Sequence, residues 1–172
     1  MDKEQRYKQV IKDNQDRIYR ICCCYVKDKD ERKDVFQDTL INIWKGFEKF
    51  DGRAQISTWV YRITVNTSLA YLQSEKRREN IFKSENKHDE NLIEDFPAEE
   101  TTNIEGEINR LYKCINKLSF IDRTLISLYL EDVSTKEMSE VLGISETNVR
   151  VKIHRVKKEL KILMENDEDG FE

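Results

Sequence analysis

The chain has 172 residues, of which 37% are charged, five are Gly and one is Pro, and it begins MDKEQRYKQV. This composition favours an almost all-α protein, and the lack of a long apolar run or of a basic and apolar leader predicts a cytoplasmic location. The cysteines lack the paired CxxC spacing of a zinc site, so we predict no metal site and expect reduced thiols in the core and at the surface. They are Cys22, Cys23, Cys24 and Cys114.

The net charge of −4 is divided unevenly along the chain. Residues 84–107 hold nine acids against one lysine, and residues 165–172 hold five acids and no base. The segments 1–83 and 108–164 are therefore basic, with net charges of +5 and +4. Two basic bodies joined by an acidic segment suggest a polyanionic partner held at two places, although a solvated basic face is common in proteins of any function.

Apolar residues recur at helical spacing on both sides of the acidic segment. They predict three helices before it, at about 3–26, 31–49 and 57–80, with Ser57 as the N-cap of the third. After it they predict four, at about 104–117, 120–131, 135–142 and 146–163. We therefore predict an all-α protein of two small domains, 1–83 and 104–164, joined by a flexible acidic linker at 84–103 and followed by an acidic tail at 165–172.

One side of the second predicted helix carries two carboxylates and an amide. Asp34, Gln37, Asp38 and Ile41 recur there at spacings of three and four, and Trp44 follows. Such a face suits a basic partner surface, but an ordinary solvated helix has the same pattern.

The third predicted helix has a stripe that suits a separated DNA strand, because aromatic rings stack on bases and basic side chains pair with phosphates. Trp59 lies at the edge of this stripe, so a core position is also open to it. The stripe consists of Trp59, Arg62, Asn66, Gln73 and Arg77 and continues into the run Lys76, Arg77 and Arg78.

The segment from about Ser134 to Lys161 has the pattern of a helix-turn-helix. Ser134 with Glu137 forms a capping box, Gly143 suits a left-handed turn and Ser145 caps the second helix. The inward face of that helix consists of Val149, Ile153, Val156 and Leu160. The candidate DNA contacts on the rest of its surface are Thr147, Asn148, Arg150, Val151, Lys152, His154, Arg155 and Lys158. Although His154 could bind a metal, no second ligand stands three or four residues away.

Three segments resemble motifs of bacterial RNA polymerase sigma factors. Residues 34–44, DVFQDTLINIW, resemble the helix that docks on the polymerase, and residues 58–66, TWVYRITVN, resemble the promoter-melting helix. Residues 148–160, NVRVKIHRVKKEL, resemble the recognition helix. The order of the motifs and the acidic linker resemble the two-domain extracytoplasmic-function type over about residues 5–162.

The resemblance implies a role for each segment. The face of Asp34, Gln37, Asp38, Ile41 and Trp44 would dock on the largest polymerase subunit. The stripe from Trp59 to Arg78 would hold the melted minus-10 strand, and the loop with Lys49, Asp51, Arg53 and Gln55 would capture an extruded base. The recognition helix would read the minus-35 duplex.

The resemblance also implies partners: core RNA polymerase, promoter DNA as duplex and as melted strand, and an anti-sigma factor. The linker would thread the polymerase near the exit of the RNA, where its charge would mimic nucleic acid or serve only as a soluble spacer. Two departures weaken the transfer of base contacts. Ala70 and Gln73 replace an acid and a base of the minus-10 helix, and Val151 replaces a small polar residue, which suggests a different minus-35 preference.

Two other functions fit parts of the pattern. A dimeric helix-turn-helix regulator would need only the C-terminal helices, and an anti-sigma decoy would not need the basic recognition face. An enzyme is not predicted, because the chain shows no nucleophile and base set and no phosphate-binding glycine loop, and no cofactor is expected.

Overall fold

The computed structural model describes residues 2–85 and 103–168, so most of the acidic linker and the end of the tail lie outside the described residues. Within these ranges the chain forms helices and no strand, which confirms the predicted all-α class. None of the described helices is both long and apolar enough to cross a bilayer. The elements are α1 (Lys3–Cys23), α2 (Lys29–Gly46), a 3-10 turn (Phe47–Lys49), α3 (Ile56–Glu85), α4 (Asn103–Lys117), α5 (Phe120–Leu130), α6 (Thr135–Leu142) and α7 (Glu146–Glu168).

Helices α1 to α3 pack on one another and form what we call the N-terminal bundle. Asp28 begins α2 by accepting hydrogen bonds from the backbone N–H groups of Asp30 and Glu31. The prediction that Ser57 caps α3 is wrong, because the helix already begins at Ile56. The next residue, Thr58, donates from its hydroxyl to the carboxylate of Glu137 in α6 at 2.9 Å. The core of this bundle includes Ile18, Ile21, Val35, Ile43, Val60 and Tyr61.

Helices α4 to α7 form the C-terminal bundle, and its turns follow the predicted chemistry. The capping box of Ser134 and Glu137 is present at the start of α6. Gly143 ends α6 with φ 68°, a left-handed conformation that an L side chain rarely adopts. Ser145 accepts a hydrogen bond from the Asn148 backbone at the start of α7. These local interactions fix the angle between α6 and α7, and this angle determines the direction in which the outer face of α7 points.

The two bundles pack against each other, α1 on α5 and α3 on α6, and one continuous apolar core runs through both. The burial of the thiols differs from the prediction. All four cysteines are buried, whereas some were expected at the surface. Cys22 is fully buried inside the N-terminal bundle, and burial raises the pKa of its thiol to about 12. Cys24 is 2% exposed at the end of α1, the helix that packs against α5.

Candidate nucleic-acid interface

The outer face of α7 lies open to solvent. Val149, Val156 and Leu160 are buried beneath it and Ile153 is half-buried, as the periodicity predicted. The apolar side chain of Val151 is 66% exposed, as a contact with a base methyl group would require. The other predicted contacts are exposed except for the half-buried Lys152: Thr147, Asn148, Arg150, His154, Arg155 and Lys158.

Two arginines of α7 are engaged with carboxylates. Arg155 Nη2 lies 3.4 Å from Oδ1 of Asp122, which is a largely buried residue of α5. Arg150 Nη2 lies 3.2 Å from Glu146 one turn earlier, and both of these side chains are exposed. An exposed pair within one helix is weak and can be exchanged for a phosphate, whereas Arg155 is also held by the second helix of its own bundle.

The structure divides the predicted α3 stripe into a packed end and an open end. The Trp59 ring is half-buried among aromatic rings, with centroids 5.2 Å from Phe50 and 6.3 Å from Phe47. A Cβ on Gly46 would lie only 3.0 Å from the Trp59 ring, so that glycine allows the close approach of α2 and α3. This packing favours the core position that the sequence left open for Trp59.

The remaining stripe residues differ in what they contact. Arg62 is exposed, but its Nη2 donates to the backbone carbonyl of Glu140 in α6 at 2.5 Å. Arg78 pairs with Glu75 at 2.8 Å. In the loop before α3, Arg53 Nε lies 2.5 Å from the carboxylate of Asp51. Asn66, Gln73, Lys76 and Arg77 are exposed along the outer side of α3.

The predicted docking face of α2 is presented to solvent. Asp34, Gln37 and Asp38 are exposed, and the apolar Ile41 and Trp44 keep 47% and 38% of their surface accessible. The Trp44 ring packs edge-on against Tyr7 at 5.0 Å, and the ammonium of Lys3 lies 4.4 Å from its centroid. Exposed apolar side chains beside carboxylates are typical of a surface that a partner covers.

Sequence reasoning missed the residues that join the bundles. Arg20 of α1 makes a two-pronged ion pair with Glu131 at the end of α5, and the buried Tyr25 hydroxyl lies 2.7 Å from that of Thr124. A carboxylate at the C-terminal end of an apolar helix was a usable signal, because the helix dipole disfavours it there unless a cation compensates. The periodicity of one helix cannot show which other helix supplies that cation.

Comparisons with known proteins place this geometry in a family. The profile of Sigma-70 region 2 matches residues 10–78, and the profile of Sigma-70, region 4 matches residues 108–160. Together the two matches span more than two thirds of the chain, with one on each bundle. The chain belongs to the sigma-70 family. Neither a dimeric helix-turn-helix regulator nor an anti-sigma decoy is expected to contain Sigma-70 region 2, so neither alternative fits the match to residues 10–78.

Relatives specify the type of sigma factor. The chain is 28% identical to the ECF RNA polymerase sigma factor SigW of Bacillus subtilis over 177 residues, covering 92% of this chain and 94% of that protein. It is 25% identical to SigV of the same organism over 159 residues, covering 92% and 90%. The chain is thus a sigma factor of the extracytoplasmic-function type, one that directs core polymerase to promoters.

Two solved structures share the fold. The sigma factor RpoE in complex with the anti-sigma factor NepR from Bartonella quintana superposes with a TM-score of 0.71 at 20% identity, covering 94% of this chain and 98% of that one. CnrH in complex with the cytosolic domain of CnrY gives a TM-score of 0.70, also at 20% identity, covering 95% and 90%. At this identity the likeness concerns the fold.

Proposed function

We propose that this sigma factor divides promoter recognition between α3 and α7 and docks on core polymerase through α2. The single observation that carries this proposal is the outer face of α7, where basic and polar side chains are exposed above the buried apolar face of the same helix. A helix of this shape fits the major groove, where Arg and Lys meet guanine acceptors and phosphates. In this assignment α7 holds the minus-35 duplex.

The outer side of α3 is assigned to the melted minus-10 strand. Asn66, Lys76 and Arg77 offer an amide and two cations along one exposed line, while Trp59 supports the helix from beneath. Single strands bind to such tracks through phosphate pairing and base contacts. Arg53 in the preceding loop lies beside Asp51 and belongs to the same assignment.

The α2 face is assigned to core polymerase. Polar contacts come from Asp34, Gln37 and Asp38. Apolar surface, from which water is displaced on binding, comes from Ile41 and Trp44. Catalysis then belongs to the polymerase, and we expect the protein in the cytoplasm, where the polymerase acts. An anti-sigma factor completes the proposed set of partners, since the compared structure of RpoE holds one.

Promoter-directed transcription by core polymerase with and without the purified protein tests the assignment. We expect specific initiation only when the protein is present, together with weak DNA binding by the protein alone. Tight duplex binding by the free protein, with no initiation from any compatible core enzyme, would contradict the proposal.

A further inference from the structure

Two arginines on the outer face of α7 have carboxylate partners of different kinds. Arg150 pairs with Glu146 one turn earlier in the same helix, and 45% of the Glu146 side chain is exposed. Arg155 pairs instead with Asp122 of α5, whose side chain is only 10% exposed. An exposed partner on the same helix exchanges readily for solvent, whereas a buried partner on a second helix stays in place. Of the two arginines, Arg155 is therefore the one that the fold anchors.

The anchor, Asp122, is itself held by the first turn of α5. Ser119 is the N-cap of that helix and accepts a hydrogen bond from the Asp122 backbone N–H at 3.3 Å. The Ser119 hydroxyl also donates to Oδ2 of Asp122 at 2.7 Å, which leaves Oδ1 to accept from Nη2 of Arg155 at 3.4 Å. The helix dipole favours a negative charge in this first turn. Both carboxylate oxygens are thus engaged, and the carboxylate keeps one orientation toward α7.

The guanidinium of Arg155 stays at the surface although it is anchored. Its side chain is 64% exposed, and the pair with Asp122 engages only Nη2. A guanidinium carries five N–H donors in a rigid planar fork, so fixing one corner also restricts the direction of the donors at Nε and Nη1. Those donors suit the two acceptors of a guanine edge or the oxygens of a phosphate.

The anchored arginine lies beside other exposed groups of the recognition helix. Val151 stands one turn before Arg155 and is 66% exposed, and His154 is the preceding residue and is exposed as well. Residues one turn apart on a helix share a face, so Arg155 and Val151 would meet the same stretch of a groove. A side chain that is ordered before binding loses less conformational entropy when it binds.

We propose that Asp122 is a positioning residue for promoter recognition, which holds Arg155 in one orientation and thereby sets the base preference of α7 in the minus-35 duplex. This inference rests on the function proposed above, which assigns α7 to that duplex. Asp122 is 7% exposed and carries the charge that phosphates repel, so its effect on DNA passes through Arg155. Arg150, whose partner is exposed, has no comparable anchor.

The test compares a preferred duplex with a matched poor one. Holoenzyme formed from the wild-type protein and core polymerase selects binders from a pool of random DNA duplexes, and sequencing of the bound fraction identifies the preferred minus-35 element. The two probes are the selected duplex and a copy in which only that element is scrambled. We call the ratio of their dissociation constants, scrambled over selected, the discrimination ratio.

Two variants of the anchor should lower this ratio to different extents. Asp122→Asn keeps the shape but removes the charge that holds Arg155, and Asp122→Ala removes the acceptor as well. We expect the discrimination ratio to fall about threefold in the first variant and about tenfold in the second, because a well-aligned base contact supplies discrimination of that order. Asp132→Asn removes the same charge from an exposed residue just beyond the other end of α5, and it should leave the ratio unchanged.

A second background separates positioning from support of the fold. When Arg155→Ala is already present, neither Asp122 variant should change the discrimination ratio further, because no guanidinium remains to be positioned. A further fall in that background would show that Asp122 supports the bundle as a whole and would overturn the proposal. An unchanged ratio with Arg155 present would also overturn it. A higher ratio would show that Asp122 withholds Arg155 from DNA instead of presenting it.

Failure of the proposed function would look different from failure of the positioning role. In the first case the wild-type holoenzyme would select no common minus-35 element and would give no promoter-directed initiation, which would overturn both proposals. In the second case the wild type would select an element and initiate from it, while the discrimination ratio of both Asp122 variants would equal that of the wild type.

Discussion

The two basic helices of this sigma factor stand in different surroundings. Along α7 the predicted contacts Thr147, His154 and Lys158 face solvent. At the start of α3, by contrast, Trp59 is packed among aromatic rings and Arg62 is held by a carbonyl of α6. A basic stripe in a sequence therefore predicts a nucleic-acid surface only as far as the fold leaves that stripe uncovered.

The difference matches what each helix is proposed to bind. Duplex DNA presents its groove and phosphates before any melting, so α7 needs no rearrangement to meet it. A separated strand exists only after base pairs have been broken, at a cost of a few kcal/mol, and stacking and phosphate contacts must offset that cost.

The largest expected effect concerns the open helix. The double variant Arg150→Ala with Lys158→Ala should weaken binding to a promoter duplex by about ten- to a hundredfold and reduce the slope of log K against log salt by about two units, because two phosphate or base contacts are lost. Fluorescence anisotropy across a salt series measures both quantities. Lys8→Ala with Lys12→Ala removes the same charge from α1. An equal loss in that control would mean that bulk charge, and not the face of α7, controls binding.

A smaller effect is expected at the covered helix. Arg62→Ala removes a cation from the α3 stripe, together with its hydrogen bond to the Glu140 carbonyl of α6. We expect a three- to tenfold loss of binding to a labelled pool of random single-stranded DNA, with duplex binding by α7 unchanged. Arg6→Ala, on α1, provides the matched loss of one arginine. A gain in strand binding would show that Arg62 acts by holding α6 against α3 and not by contacting the strand.

Local chemistry made most of the C-terminal bundle predictable. Ser134 and Ser145 form the predicted helix caps, and Gly143 forms the predicted turn. The inward-facing residues Val149, Val156 and Leu160 are buried as predicted. These features depend on hydrogen bonds and periodicity within a few residues of one another. The recognition face of α7 was predictable as well, because the buried side of a helix determines which side remains exposed.

The contact between bundles was not predictable in the same way. Ser57 looks like a helix cap in the sequence, but α3 begins one residue earlier, and the neighbouring Thr58 bonds Glu137, a residue 79 positions later. Tyr25 follows the end of α1 and is buried where its hydroxyl meets that of Thr124 in α5. Pairings of this kind depend on how the two bundles meet, and the periodicity of either bundle does not contain that information.

A third prediction tests whether the α2 face is independent of both basic helices. Asp38→Asn should weaken binding to core polymerase by about fivefold, because one carboxylate contact to a basic partner surface is lost while the shape is kept. Binding of the labelled sigma factor to surface-immobilised core polymerase measures this affinity. Asp13→Asn, on α1, is the control for loss of an exposed acid. Duplex and strand binding should be unchanged, and a parallel loss in all three assays would mean that the variant is misfolded.

The smallest effect is expected at Glu137, which both caps α6 and fastens it to α3. Burial acts to raise the pKa of Glu137, but hydrogen bonds from Ser134 and Thr58 outweigh it and hold the pKa below its ordinary value of 4.5. A lowered pKa in the folded state stabilises the protein above pH 4.5, and this contribution is lost as the pH falls through the lowered value. Relative to Glu137→Gln, the wild type should therefore be more stable by up to about 1 kcal/mol at neutral pH and lose that advantage below its folded pKa. Urea unfolding of both proteins at pH 7 and at successively lower pH measures this difference, and a constant gap across the series would show that the charge of Glu137 does not contribute.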